Sequence, residues 1–430
     1  MLLYEQVRLR RSLHPGKLIR YCEAERACVS TSARQIRTFD GPAILSFGFR
    51  PFFLAAALWA AIVVALSLPM LTGSLSLPTA FSPLEWHAHE MLYGFLPAVV
   101  AGFLLTAVPG WTGRRPIAGM PLLLLVLIWV AGRMAMLAST SLGGAWLSAI
   151  ADLAFLASLS GVVGREIVAG RDKRNLGVLG LVGLLFAGNA IFHVEAALGT
   201  ADGYGIRVGI ATAVLLISLI GGRIIPLFTR NWLMKQPPGR MPVPFQRYDV
   251  AVIVASGVAL FSWVVAPIHT LTAVFLLTAG CLQLIRLMRW AGERTTTESI
   301  VLVLHVAYAF VPLGFFLVAL ATLSPDLIAA GGALHAWTAG AIGMMTLAVM
   351  TRASLGHTGR ALTASWPIAL VYATAFVSAT TRILAACDIA RTSMLYVSAA
   401  AWVLAFGGFV AVCWPMLTQP RQDLPDRFAK

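Results

Sequence analysis

Between residues 48 and 416 the chain is a succession of apolar runs, each roughly 18 to 24 residues long, separated by short polar connections. Such a run crosses ~30 Å of hydrocarbon as a helix, because in lipid the backbone must satisfy its own hydrogen bonds. The alternating pattern of a barrel strand is missing. The runs predict twelve spans, at about 48–70, 87–109, 119–138, 146–168, 176–198, 206–229, 249–266, 269–289, 300–322, 333–352, 364–386 and 394–416. The expected fold class is therefore all-α, a polytopic transmembrane helical bundle.

Charge in the connections orients these spans. The first, third, fifth and later odd connections carry almost no base, only Arg207 and Arg391. The alternate ones carry Arg114 and Arg115, Arg165 to Arg174, Arg230 to Arg247, Arg286 to Arg294, and Arg352 with Arg360. By the positive-inside rule this places both termini in the cytoplasm. Residues 1–42 read as a basic, disordered cytoplasmic tail, 43–418 as the membrane domain, and 419–430 as a short cytoplasmic tail.

Composition agrees: 59% of residues are hydrophobic and 12% charged, which excludes a soluble enzyme of this size. The net charge of +14 follows from the basic loops and does not indicate nucleic acid. Five scattered cysteines without a CxxC or CxxCH motif predict neither a disulfide framework nor covalently attached heme.

Against this apolar background the polar positions carry the candidate chemistry, since an ionisable residue in a bundle is costly and marks function by default. Trp86-His87-Ala88-His89-Glu90 heads the second run, and His335 heads the tenth. Laying His335 on His89 puts Gly340 on Gly94, Gly356 on Gly110, and Thr358-Gly359-Arg360 on Thr112-Gly113-Arg114. An internal repeat thus relates spans 1–4 to spans 9–12. Matched histidines on repeated helices are placed to clamp a heme iron, with the glycines leaving room for the macrocycle or for close helix contact. Separate interfacial histidines are the alternative.

His87 points away from His89 on a regular helix, so it shares the locus only if the helix starts in a bend after Trp86. Otherwise His193, one turn after Asn189, pairs with His87 as a second metal site. A histidine hydrogen-bonded to Asn189 or Asp152 explains His193 equally well. Arg133 and Arg382, near the outer ends of spans 3 and 11, either grip heme propionates or reach for headgroups. Toward the inner face, His305 with Tyr308, and Arg223, suggest a proton path or a packing cluster. His357 is a further candidate ligand or a helix cap.

Several of these stretches together resemble the NnrS family of membrane proteins of the bacterial nitric oxide response. They are GFRPFFLAAALWA (48–60), WHAHEMLYGFLPAVVAGFLLTAVPGWTGR (86–114), Asn189 with His193, GRIIPLFT (222–229), His305 with Tyr308, and HAWTAGAIGMMTLAVMTRASLGHTGR (335–360). The resemblance implies non-covalent b-type heme and copper as cofactors, nitric oxide as partner, and protection from nitrosative stress, often beside denitrification. For those cofactors, depth and repeat registry make His89, His335, Arg133 and Arg382 candidates for heme, and His87, His193, His305 and His357 candidates for further metal ligands. Two other functions stay open: a quinol-linked nitric oxide reductase on a ground plan similar to heme-copper oxidases, and a proton-coupled transporter.

Overall fold

The computed structural model describes residues 39–141, 145–170, 175–200 and 202–422. The expected disordered tail lies almost wholly outside the described residues, as does most of the C-terminal one. Among the described residues the structure is helical without strands, and twelve helices are long and apolar enough to cross a membrane. In chain order they are α1 (Phe49–Leu71), α2 (Pro83–Thr112), α3 (Met120–Leu137), α4 (Trp146–Ala169), α5 (Leu176–Leu198) and α6 (Tyr204–Leu233). There follow α7 (Arg247–Val265), α8 (Thr270–Met288), α9 (Ser299–Leu323), α10 (Ala330–His357), α11 (Trp366–Ala386) and α12 (Arg391–Thr418).

Two boundaries differ from expectation in ways that matter. Helix α2 starts four residues early because Ser82 and Glu85 form a reciprocal cap. The Ser82 hydroxyl accepts from Glu85 N at 3.3 Å, Glu85 Oε2 accepts from Ser82 N at 2.9 Å, and Pro83 takes the first helical position. Helix α10 runs on to His357, where Gly359 adopts a left-handed φ of 79° and Arg360 N closes back on Leu355 O at 3.0 Å.

Helices α2, α6 and α10 each contain a widened π turn: Glu90–Phe95, Ile217–Gly221 and Ala336–Gly343. In α2 and α10 it begins one residue after the histidine. Such turns strain the ladder and favour functional positions, and here side chains answer the backbone groups involved. Trp129 Nε1 donates to Gly94 O at 2.9 Å and Arg286 Nη1 to Ser218 O at 2.9 Å, while in α10 the turn's own Trp337 Nε1 donates to Val311 O of α9 at 3.0 Å.

The chain divides into two compact units. One holds α1–α5 with residues 349–363 and 406–422. The other holds residues 202–348 and 364–405, comprising α6–α9, α11 and the first parts of α10 and α12. Each unit has its own buried charged cluster.

Candidate metal centre

In the first unit, α2 to α5 bring His89, Glu90, Arg133, Asp152, Asn189 and His193 together, all at most 4% exposed. Early residues of α2 and α4 meet late residues of α3 and α5, as antiparallel neighbours of equal depth must. Glycines permit the approach. A Cβ on Gly132 would lie 3.1 Å from Asp152 Cα, and one on Gly94 would lie 2.7 Å from Glu90 Oε2 and 2.9 Å from Trp59 Nε1. The space beside Gly94 is therefore filled by this cluster, and that beside Gly340 by the Phe310 ring. Both glycines serve close packing.

Glu90 is held on three sides. Arg133 Nη1 donates to its two oxygens at 2.7 and 2.6 Å, Trp59 Nε1 donates at 2.8 Å, and His89 Nδ1 stands 2.9 Å from Oε1. A carboxylate only accepts, so His89 Nδ1 carries a proton and Nε2 is turned the other way. Arg133 Nη2 continues to Asp152 Oδ1. Neither expected role of Arg133 is seen in its contacts: it is 1% exposed and spans two buried carboxylates.

His89 Nε2 faces Asp152 Oδ2 at 3.2 Å and Asn189 Oδ1 at 3.0 Å, while His193 Nε2 lies 3.0 Å from the same Asp152 oxygen. Asn189 Nδ2 donates to Asp152 Oδ2 at 2.7 Å, which leaves its Oδ1 as an acceptor toward His89. Two imidazole nitrogens and one carboxylate oxygen thus converge within 4.8 Å of one another. The charges do not balance by themselves: two carboxylates meet one guanidinium in a medium where an unmatched charge is expensive. Neutrality needs one more positive charge at His89 Nε2, either a second proton or a cation.

The donor set fits a cation. Metal bonds of ~2.0–2.2 Å put neighbouring ligands roughly 3 Å apart, the separation seen from each imidazole to Asp152. The Glu90–His89 contact is the carboxylate–histidine pairing that orients metal-bound imidazoles. Imidazole and carboxylate suit copper, zinc or iron. A heme iron fits His89 less well, because an axial ligand would have to give up Asp152 and Asn189. Phe192, Tyr93 and Phe81 enclose the His89 ring, with centroids at 4.8, 5.5 and 6.4 Å.

The remaining candidates fall elsewhere. Because α2 begins at Pro83, His87 lies on a regular turn and its Nδ1 meets Ser67 Oγ at 2.8 Å. His193 accordingly joins His89 and not His87. His335 belongs to the second unit, half-buried, with Nδ1 2.9 Å from Gly331 O. Arg382 in α11 is partly exposed. His357 lies among Phe47, Phe49, Arg50 and Arg421, a cationic setting that disfavours a metal ion. His269 caps α8, accepting from Leu271 N at 3.1 Å.

His305 and Tyr308, one turn apart, part company. His305 Nε2 meets Thr229 Oγ1 at 2.8 Å, whereas Tyr308 joins the second unit's cluster. There Arg286, fully buried, donates from Nε to Asp249 at 2.8 Å and from Nη1 to Ser218 O at 2.9 Å and Tyr308 OH at 3.0 Å. Tyr308 donates to Gln283 Oε1 at 2.7 Å, and Gln283 Nε2 reaches Ser218 and Ser256. Arg223 stands over Phe245 at 5.7 Å, which Arg286 also faces. Sequence reasoning placed Arg286 among loop charges and passed over Asp249; their signal was position within the ends of apolar runs.

These features define a polytopic membrane protein with a buried charged centre of two histidines and an aspartate. The chain belongs to the NnrS family: the family model described as NnrS protein matches residues 43–421, nearly its whole length. No curated protein matches it.

Proposed function

We propose that this protein is a copper-binding membrane protein of the nitric oxide response, with the ion held by His89 Nε2, Asp152 Oδ2 and His193 Nε2. The observation that carries the reading is the convergence of these three donor atoms in a cluster otherwise one positive charge short. The choice of copper among the metals this donor set suits, and the part played by nitric oxide, rest on the family resemblance. Bound copper would supply a redox-active Lewis acid that takes up nitric oxide, a small neutral molecule soluble in the bilayer core.

The protein's own groups prepare the place. Glu90 fixes which nitrogen of His89 bears the proton, Arg133 locks Glu90 and Asp152 to each other, and Asn189 holds the shared Asp152 oxygen. Aromatic rings shield the centre from water. Heme, the other cofactor implied by the resemblance, enters no step, since the contacts of His89 match a single ion better.

The test is metal analysis of the full chain purified in detergent after expression with copper, zinc and iron supplied together, followed by optical titration with nitric oxide. About one copper per chain is expected, with a nitric oxide difference spectrum absent from the metal-stripped protein. Copper retained undiminished in His193→Gln would overturn the ligand set, and loaded protein that gives no spectral response would overturn the part assigned to nitric oxide.

A further inference from the structure

A second place in the first unit has its charges unmatched in the opposite sense. Arg50, second residue of α1 and 0% exposed, donates from Nη1 to the carbonyls of Met416, Leu417 and Gln419 at 3.3, 3.1 and 2.7 Å. Cationic groups are favoured at a helix C-terminus, so this bond set explains why the arginine reaches the end of α12. It uses one nitrogen. Arg50 Nε and Nη2 are buried without a partner among the described residues, and so is Arg421 Nε.

Three guanidiniums gather here. Arg421 Nη1 contacts His357 O at 3.4 Å, Gln422 N donates to Thr358 O at 3.1 Å, and Arg360 Nη1 donates to Thr358 Oγ1 at 3.0 Å. Arg50 lies within electrostatic reach of Arg360, and His357 within reach of both Arg50 and Arg421. The Phe49 ring lies between, 5.6 Å from the Arg50 guanidinium and 5.4 Å from the His357 ring. Gly359 takes a left-handed φ of 79°, and the backbone of Gln422 packs where its Cβ would be. Among the described residues none of the three arginines forms an ion pair. Like charges at partial burial repel, and unbonded guanidinium N–H groups cost free energy; an anion removes both penalties.

We propose that this cluster binds a phosphate-type oxyanion, with Arg50, Arg360 and Arg421 as its cationic ligands. The planar, multidentate guanidinium matches phosphate oxygens. The partly exposed Arg360 and Arg421 give the anion its way in, and the buried Arg50 supplies the innermost charge. The same chemistry is offered by an anionic lipid headgroup or by free phosphate.

The experiment follows thermal unfolding of the full chain in detergent with inorganic phosphate, and in nanodiscs of phosphatidylcholine with and without phosphatidylglycerol. Stabilisation by phosphatidylglycerol alone identifies a lipid site, and stabilisation by phosphate identifies a soluble anion site. In Arg360→Gln with Arg421→Gln the apparent affinity should fall about tenfold or more. Arg50→Lys, which keeps the charge but loses the fork, should weaken it less. Arg114→Gln, a change outside the cluster, should leave it unaltered. The proposal is overturned if neither anion source stabilises the wild type, if the double variant responds like the wild type, or if Arg114→Gln lowers the response as much as the double variant does.

Discussion

The two compact units each bury an arginine against a carboxylate, but only one of the resulting clusters is short of charge. In the second unit Arg286 meets a single partner, Asp249, and its other bonds go to neutral groups: Ser218, Tyr308 and, through them, Gln283 and Ser256. That pair is matched one to one, with the half-buried Arg223 also set over Phe245. In the first unit Arg133 must serve both Glu90 and Asp152, and the imidazoles of His89 and His193 both turn toward one Asp152 oxygen. The difference separates a cluster that fixes helices from one prepared to take an ion, and charge balance distinguishes them where burial does not.

The largest effect that probes this contrast is Arg133→Met, which strands two buried carboxylates. A loss of ~3–5 kcal/mol is expected, seen as a collapse of the folded fraction in chemical denaturation. Gly94→Ala comes next. Its methyl would enter the Arg133–Glu90–Trp59 junction, at a cost of ~1–3 kcal/mol, and copper content should fall with it. The pair removal Asp249→Leu with Arg286→Met should cost only ~1–2 kcal/mol, the loss of the Asp249 cap on Gln246 N and of the bond to Ser218 O, since replacing a whole buried ion pair by apolar groups is often neutral or stabilising. The matching removal of Asp152 with Arg133 should stay strongly destabilising, because the buried Glu90 would lose its guanidinium partner and keep only Trp59 and His89. If the two removals behave alike, charge balance is not what distinguishes the clusters. The smallest effect is that of His87→Ala, which loses one hydrogen bond to Ser67 worth ~0.5–1.5 kcal/mol and should leave copper content unchanged.

Much of the architecture was legible in the chain. Run length and loop charge predicted twelve spans, and equal depth put His89, Glu90, Arg133, Asp152, Asn189 and His193 near one face, together with His87, Glu195, His269, His335 and Arg382, which are not part of the cluster. What depth does not supply is azimuth. Whether His193 meets His87 or His89 depends on where α2 begins, and that is decided by the Ser82–Glu85 cap and by the π turn after His89, neither visible in hydropathy. The 246-residue correspondence drew attention to His335 as the partner of His89, yet the contacts of His89 are completed by Asp152 and Asn189 on neighbouring helices. A correspondence of residues along the chain says nothing about which side chains touch. Arg286 and Asp249 were hidden for a related reason: at the end of a span a charge reads as loop until packing shows it buried.

The most direct test of the central claim is electron paramagnetic resonance of the copper-loaded protein, comparing wild type with His193→Gln and His335→Gln. Ligation by His89 and His193 gives hyperfine coupling from two imidazole nitrogens in the wild type, from one in His193→Gln, and an unchanged spectrum in His335→Gln. Coupling that survives the first substitution and is lost in the second would contradict it.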